Sequence, residues 1–138
     1  MNTTKTERRD GNAMRKQYYF RPSERGLLAW DVDRLVELAK ELPRTLVALS
    51  TLRELDESWV GEEEKPTWRA LVQHARLIQE ADLSYPIIIS ARGEVMDGRH
   101  RIAKAALQNE SHILAVRFVK DPEPDYVGRG PDDLPYEV

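Results

Sequence analysis

The most constraining feature of the sequence is the segment Val95–Ala105, which reads VMDGRHRIAKA. It combines the apolar end of a strand, a glycine and a helix-forming run, so it predicts a strand, a turn and the first turns of a helix. Such a helix start exposes backbone N–H groups and the positive end of the helix dipole, which favour phosphate. Gly98, which has no Cβ, would let a ligand approach the backbone closely. The cationic or protonatable side chains gathered there are Arg99, His100, Arg101 and Lys104.

A purely structural interpretation of the same segment is also open. Asp97 would then be the N-cap of the helix, Gly98 would end the strand, and the basic side chains would form a solvated first turn. A structural helix start favours acidic rather than basic side chains, however. The crowding of bases therefore favours the phosphate site.

Composition limits the classes of protein that remain. The chain has 138 residues, of which 41% are hydrophobic, which suits one domain with one core. The absence of cysteine excludes thiol nucleophiles, disulfides and thiolate metal sites. No apolar run is long enough for a membrane span or a signal peptide, so we expect a cytoplasmic protein without membrane contact. A net charge of −3 argues against a dedicated nonspecific nucleic-acid binder.

Helical periodicity predicts two helices before the central segment. The first follows Asp31, a plausible N-cap, and ends at Pro43, with Trp30 expected in the core. The second runs from Thr67 to about Ala81. We expect its apolar stripe to face the core; the stripe consists of Trp68, Leu71, Val72, Ala75 and Ile78. His74 lies beside this stripe, where a packing role is more common than a functional one.

Strand signals appear at intervals along the chain. The run PIIIS at 86–90 is typical of a strand buried on both faces, and a turn at Gly93 leads into the return strand that begins at Val95. The sequence Thr51–Glu54 fits the capping box of a brief helix. The remaining predicted strands are 18–20, 45–49 and 113–119.

Two acidic segments and a polar N-terminus complete the chain. The loop 56–66 contains three consecutive glutamates, most simply a solvated face, and Trp59, which looks exposed. We interpret 1–17 as a disordered lead, 18–120 as one compact domain and 121–138 as a flexible or loosely draped acidic, proline-containing tail. The predicted fold class is α/β (α+β), a small mixed sheet with packed helices.

The order of these elements, with PIIIS, the Gly93 turn and DGRHRIAKA, resembles the ParB/sulfiredoxin superfamily and its D-G-x-H-R-x-x-A motif. The resemblance covers about residues 46–119 and is most specific over 86–104. It implies a single ParB/sulfiredoxin-like domain. Because this fold has several functions, the activity must be argued from the site.

The branches of that superfamily imply different activities. Sulfiredoxin uses a cysteine where this chain has Arg99, so peroxiredoxin repair is excluded. Partition proteins read DNA through a downstream helix-turn-helix domain, whereas only the acidic segment follows here, so sequence-specific DNA binding is not expected. In the free-serine kinases a carboxylate near the front of the domain assists phosphoryl transfer. Glu54 and Asp56 are candidates for it by position alone.

The sequence thus favours a domain that binds the phosphates of ATP, ADP or CTP, with phosphoryl transfer or nucleotide hydrolysis as the activity if it is an enzyme. Arg99, Arg101 and the N–H groups after Gly98 would hold phosphates, Lys104 would add charge, and His100 would donate to a phosphate or transition-state oxygen. Asp97 would hold Mg²⁺ or act as a base, unless it only caps the helix. The alternatives are a noncatalytic adaptor, which contacts a protein through the Trp59 loop or the acidic segment, and a DNA-associated ParB-like protein of partition or nuclease type.

Overall fold

The computed structural model describes residues 16–60 and 65–137, so most of the predicted lead and the three consecutive glutamates lie outside the described residues. The described part is a mixed α/β domain, as the sequence predicts. Its helices are α1 (Val32–Ala39), α2 (Trp68–Glu80) and α3 (Arg99–Leu107). Its strands are β1 (Tyr18–Arg21), β2 (Leu28–Asp31), β3 (Thr45–Ala48), β4 (Ile87–Ile89), β5 (Val95–Asp97), β6 (His112–Arg117) and β7 (Tyr126–Val127).

The larger sheet has the strand order β3-β6-β4-β5 and is mixed, because β4 and β6 are parallel while the other neighbours are antiparallel. Strand β4 lies inside it and is buried on both faces, as predicted. Ile87 and Ile89 pack with Ile102 of α3 on one face. Ile88 packs with Trp30 on the other face. This alternation follows from the two-residue period of a strand and places α3 against one side of the sheet.

The smaller sheet, β1-β2-β7, corrects the prediction of a loosely draped tail. Strand β7 pairs with β2, and the indole N–H of Trp30 donates to the Pro122 carbonyl over 2.7 Å. The Asp125 carboxylate accepts from the Asp31 backbone N–H and pairs with Arg34. The prediction from composition failed because this segment contacts the domain through carbonyls and carboxylates. Such contacts produce no apolar periodicity in the sequence.

Local predictions around the first helix had mixed outcomes. The Asp31 carboxylate caps α1 by accepting from the Asp33 N–H over 2.9 Å, and Trp30 is buried, both as predicted. The prediction of a capping box at Thr51 is wrong, because the chain there forms two 3₁₀ turns, Leu49–Thr51 and Arg53–Asp56. The Thr51 hydroxyl donates back to the Ala48 carbonyl instead.

Helix α2 has its predicted bounds but not its predicted orientation. Its N-cap is Thr67, whose hydroxyl accepts from the Ala70 N–H. The stripe expected in the core is largely exposed, with Trp68 83% and Val72 55% accessible. The helix instead turns the row containing Ala70 and His74 toward the domain. Apolar periodicity located the helix correctly but identified the wrong inner face. Among the described residues, no helix is long and apolar enough to cross a membrane.

The Glu94 carboxylate links the two sheets. It accepts from the Tyr19 hydroxyl of β1 over 2.7 Å and pairs with Arg21. It also pairs with Arg53 and Arg92. The hydrogen bond from Tyr19 lowers the pKa of Glu94 below its ordinary 4.5, against the effect of burial, and the three arginines lower it further. The ionised form of Glu94 therefore stabilises the folded protein.

We expect Glu94→Gln to lower the free energy of unfolding at pH 7 by about 2 kcal/mol, since hydrogen bonds to charged groups are lost. A depressed folded-state pKa stabilises the protein above the unfolded value and loses this contribution as pH falls through the folded value. The difference between wild type and variant, measured by urea unfolding, should therefore shrink at pH 3. The exposed Glu37→Gln is the control and should change little. If the difference in free energy of unfolding between wild type and Glu94→Gln stayed constant with pH, the stabilising role of the Glu94 charge would be contradicted.

Candidate functional site

The junction between β5 and α3 is built around Gly98, which adopts φ +115°. A Cβ at this position would lie 2.6 Å from Ile87 Cγ2 and 2.9 Å from Arg101 Nη2. Any other residue would therefore clash with the core and strain the backbone. Gly98 is itself buried. Close packing inside the protein thus explains the glycine, and no ligand is required to account for it.

Asp97 and Arg101 form a buried ion pair beneath this junction. Arg101 Nη2 donates to Asp97 Oδ2 over 3.0 Å, and the side chains are 0% and 5% exposed. The interpretation of Asp97 as the N-cap is wrong, since the N-cap residue of α3 is Gly98. The guanidinium of Arg101 lies below the surface, so in this conformation it holds the Asp97 carboxylate rather than facing a ligand in solvent.

Lys104 joins α3 to the end of α2. Its Nζ donates to the carbonyls of Gln79 over 2.9 Å and Ala81 over 2.6 Å. A cation suits this place, because the C-terminal carbonyls of a helix lack intrahelical partners. The Ser84 hydroxyl and backbone N–H hold the pKa of neighbouring Asp82 below its ordinary value, and Lys104 adds to this effect. Lys104 thus positions α2 rather than the start of α3.

The predicted basic residues that remain at the surface are Arg99 and His100, the first two residues of α3. The Arg99 side chain is 57% exposed and lies 3.4 Å from the Glu57 carboxylate. The Ile102 N–H donates to the Gly98 carbonyl and closes the first turn of α3, so the backbone N–H groups of this turn point toward the N-terminal end of the helix. The candidate anion site therefore narrows to Gly98, Arg99 and His100.

His100 also belongs to a cluster of side chains that was not predicted from the sequence. Its Nε2 lies 3.4 Å from Nδ1 of His74 on α2. The Trp59 ring contacts His74 edge to face, with ring centres 4.6 Å apart. In the sequence, the only sign of this cluster was that His74 lies beside the predicted apolar stripe of α2. Because that stripe is exposed, the row beside it, which contains His74, faces α3.

One of the two candidate front carboxylates lies next to the motif. Glu54 is 9% exposed, and its Oε2 accepts from the Val95 N–H of β5 over 2.9 Å. Its Oε1 is buried without a hydrogen-bond partner among the described residues. Asp56 is exposed. Within the described part of the chain, no group of three or more His, Asp or Glu side chains is arranged to hold a metal ion.

Arg101→Met should destabilise the protein by about 3–5 kcal/mol, because it leaves the buried Asp97 carboxylate without its cation. Asp97→Asn should lower the free energy of unfolding by a similar amount, because it leaves the buried Arg101 guanidinium without its anion. The double variant should lose less free energy of unfolding than the two single variants lose together. Urea unfolding of all three proteins would measure these losses. Lys40→Met, which removes an exposed ion pair with Glu37, is the matched control. A loss below about 1 kcal/mol for Arg101→Met would contradict the structural role.

In comparisons with known proteins, the chain matches no protein-family model, and no curated protein or solved structure matches it significantly. The resemblance to the ParB/sulfiredoxin superfamily therefore stays a prediction from the motif.

Proposed function

We propose that this protein binds the phosphates of a nucleoside di- or triphosphate at the start of α3. The observation that carries the proposal is that the N-cap of this nine-residue helix is Gly98, which has no side chain, and that the exposed Arg99 is its first residue. The motif resemblance to ParB-like domains is the second support. The N–H groups of Arg99 and His100 would donate to phosphate oxygens, and the Arg99 guanidinium would leave Glu57 to bind them.

The same arrangement limits the role of a magnesium ion. Because Asp97 is paired with Arg101, Mg²⁺ would arrive on the phosphates and reach the Asp97 carboxylate only if that ion pair rearranged. His100 is the candidate donor to a phosphate or transition-state oxygen. Glu54, whose Oε2 accepts from the Val95 N–H of β5, is the candidate base. Phosphoryl transfer or nucleotide hydrolysis is therefore the activity proposed if the protein is an enzyme, and a cytoplasmic location is part of this proposal.

Arg99→Ala should abolish the rise in melting temperature caused by ATP, ADP or CTP with Mg²⁺, while leaving the ligand-free melting temperature nearly unchanged. A ligand at about one hundred times its Kd stabilises the folded state by about 2.7 kcal/mol, which differential scanning fluorimetry detects easily. Arg25→Ala is the control, because Arg25 is 59% exposed, about as much as Arg99. The absence of any shift for wild type at millimolar nucleotide would refute the proposal.

A noncatalytic adaptor is the second candidate, and the exposed face of α2 favours it. Trp68, Leu71 and Val72 form an apolar surface, whereas soluble monomers rarely expose such a patch without a function. The acidic segment 121–137 and the Trp59 loop, which were the expected contact surfaces, already pack on the domain in part. The simplest occupant of the α2 face is a second copy, because antiparallel helices would place Trp68 of each against the small Ala75 of the other.

Sedimentation velocity would test this contact. If α2 pairs with a second copy, wild type should sediment as a dimer at high micromolar concentration and Trp68→Ser as a monomer with unchanged stability. Val119→Ser, at an exposed apolar position outside α2, should still dimerise. A monomeric wild type would contradict the pairing of α2 with a second copy.

A further inference from the structure

His74 of α2 and His100 of α3 meet through one ring nitrogen each. The two ring nitrogens are 3.4 Å apart, which is long for a hydrogen bond between ring nitrogens. Two nitrogens bound at about 2.1 Å to a tetrahedral zinc ion are separated by about 3.4 Å, which is the edge of the tetrahedron. The distance between the rings is therefore the one that a shared metal ion would require.

The surroundings hold both rings in place. His74 comes from the inward row of α2 and His100 from the first turn of α3, and both are half-buried. The Trp59 ring packs against His74, and the hydrogen bonds from Lys104 connect the end of α2 with α3. Ligands that are already oriented lose little conformational freedom when an ion binds.

We propose that His74 Nδ1 and His100 Nε2 bind one transition-metal ion, with zinc as the best match to the tetrahedral distance and to imidazole ligands. Two side chains supply two of the four positions. The others would be filled by water or by an oxygen atom of a bound ligand. An ion with two open positions is of the binding or catalytic kind, because structural zinc sites are closed.

The charges nearby set the expected strength of this site. Arg99 and the positive end of α3 oppose a cation, while Glu57 and the buried Glu54 favour it. Two neutral imidazoles without a third fixed ligand bind zinc less tightly than the usual three or four. We therefore expect micromolar rather than nanomolar affinity. This inference does not rest on the proposed nucleotide function, because the ion is held by protein side chains alone.

Histidine variants of the full chain, treated with a chelator and then dialysed, would test the proposal. Zinc titration by calorimetry should give one ion per chain, and Co²⁺ should give the intense visible absorption of a tetrahedral complex. His74→Gln and His100→Gln should each weaken zinc binding roughly tenfold or more. The third histidine, His112, lies on β6 and pairs with Ser111, so His112→Gln is the matched control and should bind like wild type.

The possible outcomes separate this inference from the nucleotide proposal. Absence of zinc binding at high micromolar concentration, or binding that survives both His74→Gln and His100→Gln, would overturn the metal site. Loss of binding in His112→Gln alone would also overturn it, by placing the ion elsewhere. A nucleotide-induced thermal shift in chelator-treated protein would support only the phosphate site, and zinc binding without any nucleotide effect would support only the metal site.

Discussion

The buried ion pair between Asp97 and Arg101 determines how the edge strand β5 passes into the helix that carries the site. A pair at this depth is costly to desolvate, and it is stable only because each charge is held by the other and by its surroundings. Gly98 lies between them and allows the chain to turn where a side chain would strike Ile87 and Arg101. The exposed Arg99 and the half-buried His100 depend on this junction, since they are the two residues that follow Gly98 in the chain.

The second helix is placed by polar contacts more than by apolar burial. No residue of α2 is fully buried, and its fixed points are the carbonyls that accept from Lys104 and the histidine that meets His100. Such a helix is held less firmly than one with a buried apolar stripe, because each polar contact contributes only about 1 kcal/mol. Movement of α2 would change the distance between the two histidines directly, which connects the exposed apolar face of the helix with the candidate site.

The sequence predicted the helices and most of the strands, but it missed β2 and β7 and did not predict all of the contacts. The strand at Ile87–Ile89, the cap at Asp31 and the core position of Trp30 follow from local chemistry, so they were predictable. The burial of Arg101 was not, because a charged residue in a first helical turn is usually solvated and only the tertiary position of Asp97 makes the exception. The inner face of α2 was also missed, since apolar periodicity assumes that the apolar side is the buried one. The meeting of His74 with His100 depends on that orientation.

The docking of 121–137 has a consequence for the order in which this chain is completed during synthesis. Strand β2 and its Trp30 are made early, but their partners, the Pro122 carbonyl and strand β7, leave the ribosome about ninety residues later. The Lys16 N–H and the Tyr136 carbonyl, which close the structure near its two described ends, are separated still further. Because contacts between distant residues form slowly, one edge of β2 stays unpaired until β7 has been made. A nascent chain of this protein would therefore expose a strand edge that can pair with other chains until residues 122–127 emerge.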